Sequence, residues 1–217
     1  MENEDIKALE AKLQQNPEDY ATLESYAIAL SNSGQNEEAL KCFTKLKNLF
    51  PENAQVLYNI GIIFEKLKMN EEALIAYERA FSIAPDDEYI MFNLAVLYIK
   101  TSKLDKAEEL FFKVLEKDDK DENSYFHLGE IYTRKKQYDK AVEHLKKAIE
   151  LDSSDLIAKF YLAYAYKAIG QTGEAIKWYE DVIKQNPDYS WAYFNLAAIY
   201  SEQNNDEKAV FYLEKTI

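Results

Sequence analysis

Residues 54–87 read AQVLYNIGIIFEKLKMNEEALIAYERAFSIAPDD, and this stretch decides the fold. It holds two runs of apolar residues at helical spacing, a short polar turn between them, and a proline that stops the second run. The same 34-residue pattern recurs before and after it without insertion or deletion. One such unit cannot bury its own apolar faces, so the recurrence predicts helix pairs that are stabilised by stacking on their neighbours.

The repeat frame begins at Tyr20, and we call each position within a repeat, counted from 1, a phase. The predicted repeats span residues 20–53, 54–87, 88–121, 122–155, 156–189 and 190–217. Phase 20 is alanine in all six repeats: Ala39, Ala73, Ala107, Ala141, Ala175 and Ala209. Phase 8 is always small: Ala27, Gly61, Ala95, Gly129, Ala163 and Ala197.

Bulky side chains recur at two other phases. Phase 11 holds Leu30, Phe64, Tyr98, Tyr132, Tyr166 and Tyr200. Phase 24 holds Phe43, Tyr77, Phe111, Leu145, Tyr179 and Leu213. Small residues let the two helices of a repeat approach closely, and the bulky ones fill the space between layers. A larger side chain at Ala73 or Ala141 is therefore expected to overpack this contact and to cost about 1–3 kcal/mol.

Two local signals mark the turns of the frame. Asn36 and Asn70, each followed by two acids, are expected to cap the second helices of their repeats. Gly34 and Gly170 stand at phase 15, where the first helix is expected to end in a left-handed residue. Before the frame, residues 1–19 predict an N-terminal capping helix, because an apolar stripe is followed by a proline stop. That stripe and its stop are Ile6, Leu9, Leu13 and Pro17.

These phases resemble the tetratricopeptide repeat family over residues 20–217. The similarity rests on the small, Tyr, Ala and Phe phases and on proline at phase 32, as in Pro51 and Pro85. It implies an all-α fold, a right-handed superhelix (solenoid) of six helix-turn-helix units whose concave groove is lined by the first helix of each pair. Leu or Met often replaces the family's Trp at phase 4. Lys159 at that phase suggests a looser contact.

Composition excludes several classes of partner. The chain has 26 basic and 39 acidic residues, a net charge of −13, which argues against nucleic acid and against an anionic membrane surface. Cys42 is the single cysteine, so no internal disulfide is expected and a reducing compartment is favoured. We recognise no signal peptide and no apolar run long enough to span a membrane, and we expect a cytoplasmic protein.

The candidate site is the groove-lining face of the first helices. Phase 5 is aromatic in five consecutive repeats: Tyr58, Phe92, Phe126, Phe160 and Phe194. Phase 6 of the same repeats holds Asn59, Asn93, His127, Tyr161 and Asn195. Basic residues follow at phase 13, namely Lys66, Lys100 and Arg134. Rings offer apolar contact at low entropic cost, asparagine amides can bind a peptide backbone, and basic residues can hold carboxylates.

Each of these features also has a structural interpretation. The phase-5 rings can pack against the next repeat, asparagine at phase 6 can serve helix spacing, and a lysine near a helix end can be a solvated dipole partner. The carboxylate clamp by which family members bind chaperone tails is not expected, because phase 5 never holds lysine and phase 9 never holds asparagine.

No catalytic or metal-binding pattern is recognised. A calcium loop after Asp119 lacks its glycine, and helix is needed from Glu122 onward. His127 and His144 lack further metal ligands, and we find no phosphate loop and no nucleophile elbow, so we expect no cofactor and no enzyme activity in these residues.

Three hypotheses for function remain. The first is a scaffold that binds an extended peptide segment of a partner protein in the concave groove. The second is a structural protein that self-associates head to tail through its terminal repeats, because Val210, Leu213 and Ile217 are expected to present an uncovered apolar end. The third is the targeting arm of a longer enzyme.

Overall fold

The computed structural model describes the backbone of residues 2–216 and the side chains of residues 5–216. These residues form thirteen α-helices and no strand, which confirms the expected all-α fold. None of the described helices is long and apolar enough to cross a membrane.

Helices alternate regularly along the chain. The leading helix is α1 (Glu2–Gln15). The first helices of the repeats are α2 (Tyr20–Asn32), α4 (Ala54–Lys66), α6 (Glu88–Lys100), α8 (Glu122–Arg134), α10 (Leu156–Ala168) and α12 (Ser190–Glu202). The second helices are α3 (Asn36–Leu49), α5 (Asn70–Ile83), α7 (Leu104–Lys117), α9 (Tyr138–Leu151), α11 (Thr172–Gln185) and α13 (Asp206–Glu214). Each first helix begins at the first residue of its frame, whereas the division of the chain into domains stays a prediction. Ile217 lies outside the described residues.

The chain forms two compact units, Met1–Leu110 and Phe111–Ile217, which we call the N-terminal half and the C-terminal half. In the N-terminal half, Ile6 of α1 is buried in one apolar cluster with Leu23 and Ala27 of α2. Leu13 packs against the same cluster, so α1 covers the outer side of α2.

Small residues make the close helix contacts that the sequence predicts. The phase-20 alanines of the first five repeats are fully buried. A Cβ atom added to Gly61 would collide with the Tyr77 ring, and one added to Gly129 would collide with the Leu145 side chain. Phase 8 therefore packs directly on phase 24 of the same repeat.

Most first helices are capped by a side chain just before the frame begins. In each case a side-chain oxygen of the N-cap residue accepts a hydrogen bond from a backbone N–H in the first turn of the helix. These N-cap residues are Asp19, Asn53, Asp87, Asp121 and Asp155. The expected caps of the second helices are wrong. Helices α3 and α5 do begin at Asn36 and Asn70, but their N-cap residues are Gln35 and Met69, which make no side-chain cap hydrogen bond.

The turn between the two helices of a repeat has one geometry throughout. Gly34 and Gly170 have φ of 82° and 80°, as expected for phase 15. Four residues with side chains occupy the same phase at φ between 57° and 61°: Lys68, Ser102, Lys136 and Asn204. A left-handed residue thus ends every first helix, whether or not it is glycine.

Lys159 does not loosen the phase-4 contact between the two helices of its repeat. Its side chain is buried, and Nζ lies 2.7 Å from the Oδ2 atom of Asp181 on α11. Gln185 donates a second hydrogen bond to the same carboxylate oxygen. An ion pair within the repeat therefore replaces the apolar contact of phase 4.

Candidate functional site

Helical periodicity places phases 2, 5, 6, 9, 12 and 13 on one side of each first helix. We call this side the first-helix face. In the N-terminal half it is carried by α2, α4 and α6, and in the C-terminal half by α8, α10 and α12. Each half is described by itself.

The phase-5 rings of the N-terminal half are half-buried. The Tyr58 ring lies 5.7 Å from the Tyr77 ring of its own repeat, and its hydroxyl accepts a hydrogen bond from Asn93 Nδ2 at 3.0 Å. Phe92 is half-buried as well. These rings therefore contribute to contacts within and between repeats, as the structural interpretation expects.

In the C-terminal half, the phase-5 rings differ in how far they are covered. Phe126 packs edge-on against Tyr161 at 5.8 Å. Phe160 lies between Tyr179 at 5.6 Å and Tyr189 at 5.4 Å. Phe194, by contrast, is 51% exposed. Of the five predicted rings, Phe194 is the one most accessible to a ligand.

The phase-6 asparagines form hydrogen bonds within the protein, Asn93 and Asn195 as donors and Asn59 as an acceptor. Asn93 Nδ2 donates to the backbone carbonyl of Tyr89 at 2.8 Å, and Asn195 Nδ2 donates to that of Trp191 at 2.8 Å. Asn59 Oδ1 accepts from Gln55 at 3.5 Å. Asn93 and Asn195 consequently present the side-chain carbonyl oxygen, which can accept a hydrogen bond from a peptide N–H.

The predicted lysines connect neighbouring repeats. Lys66 Nζ donates to the hydroxyl of Ser31 at 2.6 Å, and Lys100 Nζ lies 2.7 Å from Glu65 Oε1. Both bonds join phase 13 of one repeat to phase 12 of the repeat before it. In the C-terminal half the same two phases are joined with the charges exchanged, because Lys167 lies 3.1 Å from Glu202. These side chains are engaged in the scaffold rather than poised for a carboxylate ligand.

Arg134 belongs to a charged cluster on α8. Its Nη2 atom lies 2.6 Å from Glu130 Oε1, and His127 Nδ1 lies 3.2 Å from Glu130 Oε2. Burial alone would raise the pKa of Glu130, but the His127 hydrogen bond and the Arg134 charge outweigh it and hold that pKa below its usual value. Burial, and then the Glu130 charge, raise the pKa of the neighbouring Tyr161 hydroxyl.

Several exposed apolar side chains on the first-helix face were missed by the sequence analysis. Tyr89 is 77% exposed and Trp191 is 66% exposed, both at phase 2. Ile157 at phase 2 and Tyr164 at phase 9 are also exposed. A signal was present in the sequence, since phase 2 lies on the groove-lining side and holds three large apolar residues, Tyr89, Ile157 and Trp191.

In the C-terminal half, exposed side chains of the first-helix face lie on α10 and α12, the first helices of two consecutive repeats. Phe160 of α10 contacts Tyr189, the residue before α12, and Lys167 near the end of α10 pairs with Glu202 at the end of α12. The Trp191 and Phe194 rings lie 6.2 Å apart, edge to face. We call this set the α10–α12 aromatic surface: Ile157, Tyr161, Tyr164, Trp191, Phe194 and Asn195.

Two family models match the sequence. The model described as "Tetratricopeptide repeat protein 21 C-terminal ARM domain" matches residues 3–192. A second model, described as "Tetratricopeptide repeat", matches residues 178–211. No curated protein matches the sequence.

Solved structures share the fold. A tetratricopeptide repeat protein from Parabacteroides merdae ATCC 43184 is 22% identical with a TM-score of 0.74, and the match covers 97% of this chain and 84% of that chain. YrrB, described as a TPR protein with an unusual peptide-binding site, is 24% identical with a TM-score of 0.67, covering 81% and 90%. MamA is 24% identical with a TM-score of 0.68, covering 72% and 92%.

Proposed function

Because the chain belongs to the tetratricopeptide repeat family, we propose that it is a non-catalytic scaffold that binds an extended peptide segment of a partner protein on its α10–α12 aromatic surface. A protein-interaction scaffold is the function that the family supports. The observation that carries the finer proposal is the exposure of Trp191 and Phe194, 66% and 51%, whose rings lie 6.2 Å apart on the first-helix face.

Clustered large apolar side chains on a surface indicate an interaction site. Aromatic rings lose little conformational entropy on binding, and tryptophan and tyrosine are enriched among the residues that dominate binding energy. Asn195 adds a carbonyl oxygen beside these rings, which can fix the direction of a bound backbone. YrrB, whose description names a peptide-binding site, is a precedent on the same fold.

The charges beside this surface are already paired, since Lys167 pairs with Glu202 and Arg134 pairs with Glu130. The partner segment is therefore expected to carry large apolar side chains and little net charge where it lies over α10 and α12. The proposal places the protein in the cytoplasm, on the basis of its single cysteine. It also excludes nucleic acid as a partner, on the basis of the net charge of −13. The carboxylate clamp for chaperone tails is not part of it.

The test is a selection of short linear peptides from a displayed library on the immobilised chain, followed by titration of the selected peptides. Replacing both rings, Trp191→Ala with Phe194→Ala, is expected to weaken binding by tenfold or more, because aromatic anchors are each worth about 2 kcal/mol or more. Both side chains are exposed, so the fold is expected to be retained.

The matched control removes two exposed rings from second helices of the same half, Phe112→Ala with Phe211→Ala. This variant is expected to bind the selected peptides as the wild type does. Equal affinity for the double variant of Trp191 and Phe194, or a library that yields no binder, would move the function off this surface.

A second candidate function, self-association, is favoured by one observation. Helix α13 has no buried residue, and Val210 and Leu213 are both half or more exposed beside a groove of about 350 Å³. An apolar face of this kind can pair with a second copy. Sedimentation over a range of concentrations tests this candidate, which predicts a dimer that Leu213→Glu abolishes. A monomer at all concentrations would rule it out.

A further inference from the structure

The N-terminal half contains an apolar groove that lies between α3 and α5 and over α4. Its volume is about 640 Å³, a size typical of ligand sites. The floor is formed by Leu57, Ile60 and Phe64, and one wall by Ala76 and Ile75, of which Ile75 is 69% exposed. The groove is on the second-helix side of the repeats and is separate from the first-helix face.

Other repeats of this chain show what fills the equivalent space. Phase 23 is Ala76 in the second repeat, whereas the later repeats carry larger side chains there, namely Leu110, His144, Trp178 and Tyr212. His144 stacks on the phase-11 ring of Tyr132 at 5.2 Å and 18°, and Tyr212 stacks on that of Tyr200 at 5.5 Å and 1°.

The second repeat keeps the phase-11 ring but lacks its partner. Phe64 occupies phase 11, and among residues 5–216 no aromatic ring packs on it. Because Ala76 has only a methyl group, the space that His144 and Tyr212 fill elsewhere is open to solvent and forms the groove. An incoming ring placed there would be held by the same stacking contact that the protein uses twice in its C-terminal half.

The charged residue beside the phase-11 ring also differs between repeats. In three repeats a phase-19 lysine lies over the phase-11 ring, within 4.7–5.3 Å of its centre: Lys106, Lys140 and Lys208. Phase 19 of the second repeat is Glu72, which lines the groove in the first turn of α5. Phase 19 is thus lysine in three repeats and glutamate in the other three. In the fourth and sixth repeats a phase-23 ring and a phase-19 lysine both lie on the phase-11 ring, and the groove of the second repeat lacks both.

We propose that this groove binds a partner segment that presents an aromatic side chain together with a neighbouring basic residue. The aromatic ring stacks on Phe64 in the space left by Ala76, and the basic group lies near Glu72. The other charged residues that line the groove are Lys47, in the last turn of α3, and Arg79 and Glu52, which pair with each other at 2.6 Å. Glu72, in the first turn of α5, is the acidic residue of the groove that lies nearest to Phe64 along the chain. This proposal does not rest on the α10–α12 aromatic surface.

The experiment fills the groove from within. Short linear peptides are selected from a displayed library on the wild-type chain, and those that bind the Trp191→Ala, Phe194→Ala variant unchanged are kept. Ala76→Tyr supplies the ring that other repeats carry at phase 23. It is expected to weaken binding of these peptides tenfold or more, because a whole aromatic anchor is then excluded from the groove. Ala76→Ser leaves the groove open and is expected to bind within about twofold of the wild type, since no contact is lost.

Further variants separate the two features of the ligand. Phe64→Leu keeps an apolar floor without a ring and is expected to weaken binding about fivefold to tenfold, the value of a stacking contact. Glu72→Gln is expected to weaken the binding only of those peptides that carry the basic residue. The proposal is overturned if the retained peptides share no aromatic residue, if leucine replaces that residue without loss, or if Ala76→Tyr and Phe64→Leu both bind as the wild type does.

Discussion

Four residues hold a left-handed backbone conformation that glycine adopts without cost. Lys68, Ser102, Lys136 and Asn204 have φ near 60° at the turn where Gly34 and Gly170 stand in other repeats. For a residue with a Cβ atom this conformation costs roughly 1–2 kcal/mol, partly offset by the greater flexibility of glycine in the unfolded chain. The fold tolerates this strain because stacking fixes the position of both helices.

Replacing Lys68 and Lys136 by glycine is therefore expected to stabilise the protein by about 0.5–1 kcal/mol at each site. Denaturant unfolding followed by circular dichroism measures the change. Lys120→Gly is the control, because Lys120 lies in a turn without positive φ and glycine there is expected to be destabilising. Stabilisation by the control but not by the two variants would contradict the explanation.

Glycine at phase 8 is needed for space rather than for backbone freedom. An added methyl group on Gly129 collides with Leu145, so Gly129→Ala is expected to cost about 1–3 kcal/mol of unfolding free energy. Gly173→Ala is the matched control, since Gly173 lies in the first turn of α11 and an added Cβ meets nothing within 4 Å. There alanine is expected to stabilise by about 0.5–1 kcal/mol through helix propensity. Equal effects at the two sites would contradict the packing argument.

At the scale of the element, first helices are connected by polar pairs between phases 12 and 13. In a double-mutant cycle, Glu65→Gln and Lys100→Met are expected to show a coupling of about 0.2–1 kcal/mol that decreases with added salt. Unfolding experiments at low and high salt give this coupling. The Lys147–Glu150 pair within α9 is the control, with exposed partners and a coupling of at most about 0.5 kcal/mol. A coupling for Glu65 and Lys100 of zero in low salt would show that the pair does not hold the helices together.

The periodicity of the sequence predicts which face of a helix meets the core, because that depends on spacing within one element. Gly61 against Tyr77 and Gly129 against Leu145 are contacts of this kind. The exposure of a ring on the opposite face depends instead on how far the next repeat reaches. Tyr189 lies on Phe160, whereas Phe194 is 51% exposed with the Trp191 ring beside it. Spacing alone cannot separate these two cases, and so the predicted site included covered rings and omitted exposed ones.

At the scale of the whole molecule, tyrosines that are fully or partly buried predict a loss of stability in alkali. Burial and the charge of Glu65 raise the pKa of Tyr77, and burial and the charge of Glu180 raise the pKa of Tyr212 to about 12. Below about pH 10 these phenols are protonated in the folded and the unfolded chain, and their contribution is fully present. As the pH rises toward 12, the unfolded chain ionises first, so the stability contribution is lost.

Unfolding free energies measured between about pH 8 and pH 11.5 are expected to fall above pH 10. Tyr77→Phe removes one of the titrating groups, and its stability is expected to fall less steeply over the same range. A flat profile in the wild type, or equal slopes in both proteins, would contradict this assignment.

The central claim is that a partner segment lies on the α10–α12 aromatic surface, and Trp191 reports on it directly. The chain has two tryptophans, so Trp178→Phe leaves Trp191 as the only one. When peptides selected on the wild type are titrated into this variant, the Trp191 emission is expected to shift to shorter wavelength and become protected from quenching, with the same Kd as binding measured independently. Saturated binding with an unchanged Trp191 emission would contradict the claim.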